Sequence, residues 1–222
     1  MKYGLVIFDL GGTLLNTIED LGAAVNHALS LRGLPVHAPE EYPAMVGHGI
    51  RNLIVNALTC DYRHDDSFVD SVLADFKDWY SAHIDVHTRP YPGMTSLLGR
   101  LQADGSLLAV ASNKFQSGTE ALVRKFFPEI RFTAVFGNSP DSPLKPDPAL
   151  VKAILDRAGC AESEAVLVGD SATDILTAHN GGIAAIAVTW GYRPAADLTA
   201  ADYSADSPDA LEKLLRGSAR RP

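Results

Sequence analysis

Four short segments carry side chains that could act together on a phosphate group. Asp9 follows the apolar run Leu5-Val6-Ile7-Phe8 and precedes Gly11-Gly12-Thr13, while Ser112-Asn113-Lys114 follows Leu107-Leu108-Ala109-Val110-Ala111. Lys145 stands in the proline-flanked stretch Leu144-Lys145-Pro146-Asp147-Pro148, and Asp170, with Asp174 nearby, follows Ala165-Val166-Leu167-Val168-Gly169. Carboxylate oxygens from Asp9 and Asp170 suit a hard cation such as Mg²⁺, and Lys145 and Ser112 can neutralise or hydrogen-bond phosphate oxygens. An aspartate can also be the nucleophile itself, forming an aspartyl-phosphate. Each residue has a plainer role open to it: Asp9 as a turn residue, Asp170 and Asp174 as a helix cap and first-turn acid. The joint set is what favours chemistry.

Such a set works only if one edge of one framework presents it. From about residue 94 the chain alternates helix and strand: helices over 94–103, 117–126, 148–158 and 174–179, strands over 107–111, 132–136, 165–169 and 183–188. With residues 5–8 as the first strand, this pattern predicts an α/β fold, a three-layer Rossmann-like core with a parallel sheet and helices on both faces. Ligands of such sheets bind beyond the carboxyl ends of the strands, where all four segments fall. Residues 40–85 keep helical periodicity with no convincing strand, and Thr17-Ile18-Glu19-Asp20 has the pattern of a helix start closed by a capping box. The expected division is therefore a core of residues 1–14 and 87–222 and an inserted helical cap domain of residues 15–86.

Composition narrows the classes. Hydrophobic residues make up 46% and charged residues 21%, ordinary for a globular protein. The formal net charge of −8 argues against nucleic acid as a partner, and no apolar run is long enough to span a membrane. The N-terminal apolar run is too short for a secretory signal, so the expected location is cytoplasmic. Cys60 and Cys160 read as buried or incidental thiols, and the arginine-containing tail, 216–221, as a solvated end. The oligomeric state is not legible.

Asp9-Leu10-Gly11-Gly12-Thr13-Leu14, Ser112-Asn113-Lys114, Lys145-Pro146-Asp147-Pro148 and Gly169-Asp170-Ser171-Ala172-Thr173-Asp174 together resemble the four ordered motifs of the haloacid dehalogenase superfamily. Within it the chain is most similar to the phosphoglycolate phosphatase branch, through residues 8–26, Gly47-His48-Gly49-Ile50-Arg51 and Pro92-Gly93. The resemblance implies hydrolysis of a small phosphorylated metabolite. Asp9 would be the nucleophile, and Mg²⁺ would be held by Asp9, the Gly11 carbonyl and Asp170, with Asp174 in support. Ser112, Asn113 and Lys145 would grip the phosphoryl group, beside the loop residues Gly12 and Thr13. His48, Gly49 and Arg51 of the cap would meet the rest of the substrate.

The family's phosphatases carry a second aspartate two residues after the nucleophile, where this chain has Gly11. That aspartate protonates the leaving oxygen and then activates water, work typically worth about 10²–10⁴ in rate. The expectation is weakened turnover with metal and phosphate binding better preserved. Other readings stay open: a retired enzyme that binds a phosphometabolite or a protein, a sugar phosphomutase, or a phosphonatase-like enzyme. The last would need a cap lysine, for which Lys77 is the one candidate.

Overall fold

The computed structural model describes residues 2–139 and 143–217. Leu5–Phe8 forms β1, buried along its whole length. Val6 and Phe8 enter one core cluster, Leu5 and Ile7 the other, as the two-residue period of a strand requires. Burying each such side chain is worth roughly 1.5–3 kcal/mol, so the first strand is anchored from both sides.

A short strand β2 (Leu15–Asn16) leads into four helices: α1 (Ile18–Ser30), α2 (Tyr42–Met45), α3 (Ile50–Ala57) and α4 (Asp66–His83). The chain returns through β3 (Arg89–Pro90), which pairs antiparallel with β2, so the way out and the way back form one strap. Then follow α5 (Met94–Ala103), β4 (Leu107–Phe115), α6 (Gln116–Phe126), β5 (Phe132–Asn138), α7 (Ala149–Ala158), β6 (Ala165–Gly169), α8 (Ala172–Asn180), β7 (Ala184–Val188), β8 (Tyr203–Ala205) and α9 (Pro208–Leu215). In the helical segment α1 packs on α4, burying Val25, Ala28 and Leu29 on one side and Val69, Val72 and Phe76 on the other.

The main sheet has six parallel strands in the order β5-β4-β1-β6-β7-β8. Phe8 lies opposite Val110 of β4 and Val168 of β6, so the residues just beyond these three emerge at one edge. Because β1 has β4 on one side and β6 on the other, that edge is the switch point where α/β sheets open a crevice. Among the described residues no helix is long and apolar enough to cross a membrane.

Three details differ from the expectation. The Thr17 hydroxyl makes no capping bond, and Asp20, instead of closing a capping box, accepts from the backbone N–H groups of His87 and Thr88 and from the Thr88 hydroxyl. Asp20 is buried where both linkers meet, and its carboxylate satisfies donors of the returning chain. The edge strand β8 is too short and too polar to stand out in sequence, and β4 runs on to Phe115. Cys60 is exposed and Cys160 half-buried, and neither is paired, which fits incidental thiols. Arg216 pairs with Glu212 and Asp104, while residues 218–222 of the tail lie outside the described residues.

Candidate active site

The loop after β1 is held tightly. Asp9 N–H donates to the Val168 carbonyl at 2.9 Å, Leu15 N–H to the Leu10 carbonyl at 2.8 Å, and Gly12 N–H to the Leu15 carbonyl at 2.8 Å. Gly12 has φ of 92°, and a Cβ there would collide with the Asp170 carboxylate, so glycine alone lets the first loop approach the loop after β6. Asp170 accepts from Tyr192 N–H at 2.8 Å and, at 3.4 Å, from the Thr13 hydroxyl. Ser171 caps α8, and its hydroxyl and N–H both donate to Asp174 Oδ2, at 2.6 and 3.1 Å.

Lys145 joins these pieces. Its ammonium, almost fully buried, donates to Asp9 Oδ1 at 2.7 Å, to Asp174 Oδ1 at 2.6 Å and to the Ala111 carbonyl at 2.9 Å, which uses all its protons. Asn113 fixes the lysine's own loop, accepting from Lys145 N–H at 2.8 Å and donating to its carbonyl at 3.2 Å. Burial disfavours the lysine's charge, but the adjacent Asp174 and Asp9 outweigh this and raise its pKa. One ammonium does not balance three carboxylates. Burial and mutual repulsion push the pKa of Asp9 and of Asp170 upward despite Lys145. Ligand oxygens of Asp9, Asp170 and Asp174 lie within 4.8 Å of one another, a set of hard, under-neutralised donors that fits a small divalent cation.

A second loop, 189–193, closes the site from the far side. Trp190 Nε1–H donates to the Thr13 carbonyl at 3.1 Å, and the Tyr192 hydroxyl accepts from Thr17 N–H at 2.7 Å. That hydroxyl also lies 3.3 Å from both Thr17 Oγ1 and Asn16 Oδ1, and burial pushes its pKa up to about 12. Arg193 donates to the Val46 carbonyl of the helical segment. Sequence reasoning missed this loop, although its Trp-Gly-Tyr-Arg run, following a strand, lies at the same sheet edge.

Between core and helices lies a cavity of about 100 Å³. Asp9, Gly11, Ser112, Asn113, Lys114, Lys145, Asp170, Tyr192 and Arg193 line it from the core, while Leu21, Val46, Gly47, Gly49, Ile50 and Leu53 line it from the helical segment with Thr17. Lys114 donates to the Tyr80 hydroxyl at 2.5 Å, and burial lowers its pKa to about 7 against the pull of Asp9 and Asp20. The expected core residues converge here, with Asp174 just behind. Gly12 and Thr13 do not line the cavity: one shapes the loop, the other faces Asp170. His48 and Arg51 are corrected. Both are exposed and neither lines the cavity, and Arg51 pairs with Asp66 and Asp70 of α4. Lys77 is exposed on α4 and gives a phosphonatase-like lysine no place in the cavity.

Comparison with known proteins gives the chain its family. The family described as haloacid dehalogenase-like hydrolase matches residues 6–188. A phosphoglycolate phosphatase of Mesorhizobium japonicum is 35% identical over 98% of this chain and 99% of its own length. Another from Agrobacterium fabrum is 31% identical over 95% of this chain and 94% of its own. Among solved structures, a candidate phosphoglycolate phosphatase from Lactobacillus delbrueckii subsp. bulgaricus superposes with a TM-score of 0.89 at 29% identity, covering 97% of this chain and 99% of that one.

Proposed function

The chain belongs to the haloacid dehalogenase-like hydrolases and is a phosphatase-type enzyme, and on that premise we propose that it hydrolyses phosphoglycolate or a close relative through an aspartyl-phosphate on Asp9. The observation that carries this reading is Lys145 held at 2.7 Å from Asp9 and 2.6 Å from Asp174 at the floor of the cavity. A carboxylate beside a fixed ammonium can approach a phosphate dianion without prohibitive repulsion.

Asp9 attacks phosphorus in line and expels the alcohol oxygen. Lys145 offsets the charge gathering on the phosphoryl oxygens, and the Ser112 hydroxyl donates to one of them. Asn113 keeps the Lys145 loop in register. Asp9, Asp170 and the Gly11 carbonyl, with Asp174 in support, would hold Mg²⁺, which would supply further neutralisation of the phosphate. The helical segment caps the cleft, excluding bulk water through Leu21, Ile50 and Leu53.

Gly11 carries no proton donor for the leaving oxygen and no base for the water that releases phosphate. Turnover is accordingly lowered by about 10²–10⁴ relative to an enzyme with a carboxylate there. The test is Mg²⁺-dependent phosphate release from phosphoglycolate, together with acid-quench trapping of phosphorylated protein. Release and trapping that both vanish in Asp9→Asn support the reading. Activity or labelling that survives Asp9→Asn rules out the mechanism, and binding of phosphoglycolate with neither release nor labelling moves the retired, ligand-binding reading ahead.

A further inference from the structure

We propose that Lys114 and Arg193 together receive a second anionic group of the substrate, a carboxylate a short chain away from the phosphate, and so make the enzyme selective for small phosphorylated acids over neutral phosphate esters. The proposal rests on the reading above, that the phosphoryl group binds at Asp9 and Lys145.

Three cations line the cavity, and they differ in how far their donors are used. Lys145 is saturated by Asp9, Asp174 and the Ala111 carbonyl. Lys114 is only 8% exposed, yet among the described residues its ammonium hydrogen-bonds to the neutral Tyr80 hydroxyl alone, lying 4.5 Å from the centre of the same ring. Among the described residues no carboxylate comes within 4.0 Å of Lys114 or Arg193, since neither forms an ion pair. A buried ammonium with one neutral partner is costly unless an anion completes its surroundings.

Arg193 donates to the Val46 carbonyl, which leaves most of its five N–H groups unspent. A structural reading for this residue is that it merely fastens the helical segment to the core. That reading accounts for the one bond to Val46 but not for a second, more deeply buried cation in the same cavity. Leu21, Val46, Ile50 and Leu53 supply apolar wall on the helical side, and of the three cations that line the cavity Lys114 and Arg193 are the two with no carboxylate partner among the described residues. The cavity of about 100 Å³ restricts the substrate to a short carbon chain. Tyr80 belongs to α4 and Val46 to the segment before α3, so both cations touch the helices as well as the core.

The test compares phosphoglycolate with ethyl phosphate, which keeps the phosphoryl group and lacks the carboxylate. Dissociation constants are measured by calorimetry with Mg²⁺ on the full-length Asp9→Asn chain, which cannot be phosphorylated there. The expected preference for phosphoglycolate is at least about tenfold, the scale of one charge-assisted hydrogen bond. Lys114→Met and Arg193→Gln should each reduce that preference by about tenfold, and Arg193→Lys should retain most of it. Equal affinity for the two esters, or a preference that both neutral substitutions leave intact, overturns the proposal. Phosphate release by the unaltered chain judges the underlying reading separately. Release from both esters without discrimination leaves the phosphatase standing and removes the receptor, whereas an unaltered chain that neither binds nor hydrolyses either ester removes both.

Discussion

Thr17 Oγ1 stands 3.0 Å from the point where a side chain on Gly11 would begin. The hydroxyl therefore borders the space that an acid/base carboxylate would enter, and it lies 3.3 Å from the Tyr192 hydroxyl. Gly11 is not among the glycines with positive φ, so its backbone accepts an L-residue. Gly11→Asp should thus fold, with Thr17 giving way by a few tenths of an ångström. Phosphate release should rise by about 10²–10⁴. Steady-state assays with phosphoglycolate check this, and an aspartate variant no faster than the parent would show that the missing carboxylate is not what limits turnover.

Tyr192 offers a test of the loop that sequence reasoning did not single out. Its hydroxyl satisfies the N–H of Thr17, a buried residue at the start of α1. Tyr192→Phe leaves that donor without its partner, which costs about 1–3 kcal/mol. Urea unfolding should move to lower concentration by the corresponding amount with an unchanged slope. An unshifted midpoint would mean that water takes over the bond.

The contrast between Asp9 and Tyr192 explains what the sequence made legible. Asp9, Ser112 and Asp170 each follow an uninterrupted apolar run, and β1 lies between β4 and β6, so the register of the three strands brings them together. Lys145 was marked by its flanking prolines and by the ordered motifs. Tyr192 and Arg193 also follow a strand, but their roles depend on contacts with Thr17 and Val46, far away in the chain, which no periodicity encodes. Arg51 failed for the opposite reason. A cation in a glycine-rich stretch of the helical segment looked like a contact for the rest of the substrate, yet Asp66 and Asp70 stand one helix away and take its charge. Asp20 was misread because a helix start predicts a local cap, whereas the fold spends that carboxylate on the returning linker.

Asp20 should accordingly be among the most sensitive positions outside the active site. It accepts from His87 N–H at 2.9 Å, Thr88 N–H at 2.8 Å and the Thr88 hydroxyl at 2.7 Å, at 1% exposure. Asp20→Ala strands those donors and should cost about 3 kcal/mol or more, while Asp20→Asn, which keeps one acceptor oxygen, should cost less. Chemical denaturation of the two variants against the parent measures the difference. Equal losses would point to the charge rather than the hydrogen bonds, since both substitutions remove the charge.

The three-carboxylate cluster makes stability and metal binding depend on pH in a defined direction. In the folded chain Asp9 is raised from 3.8 to about 6 and Asp170 from 3.8 to about 7, chiefly by burial and by the neighbouring carboxylates. Between those values the folded state binds more protons than the unfolded one, so the slope of unfolding free energy with pH is negative. The contribution of this site to stability is therefore fullest below about pH 4, declines as pH rises through about 6 to 7, and is flat above. A divalent cation requires the ionised carboxylates and stabilises the folded state by mass action, so its effect must run the other way. In chelator, the difference in melting temperature between the parent and Asp170→Asn should swing towards the variant as pH rises from 5 to 8. Adding Mg²⁺ should raise the parent's melting temperature more at pH 8 than at pH 5 and leave Asp170→Asn nearly unmoved. Parallel pH curves for parent and variant in chelator would show that Lys145 alone already balances the cluster, and the argument for a cation at these three aspartates would lose its electrostatic basis.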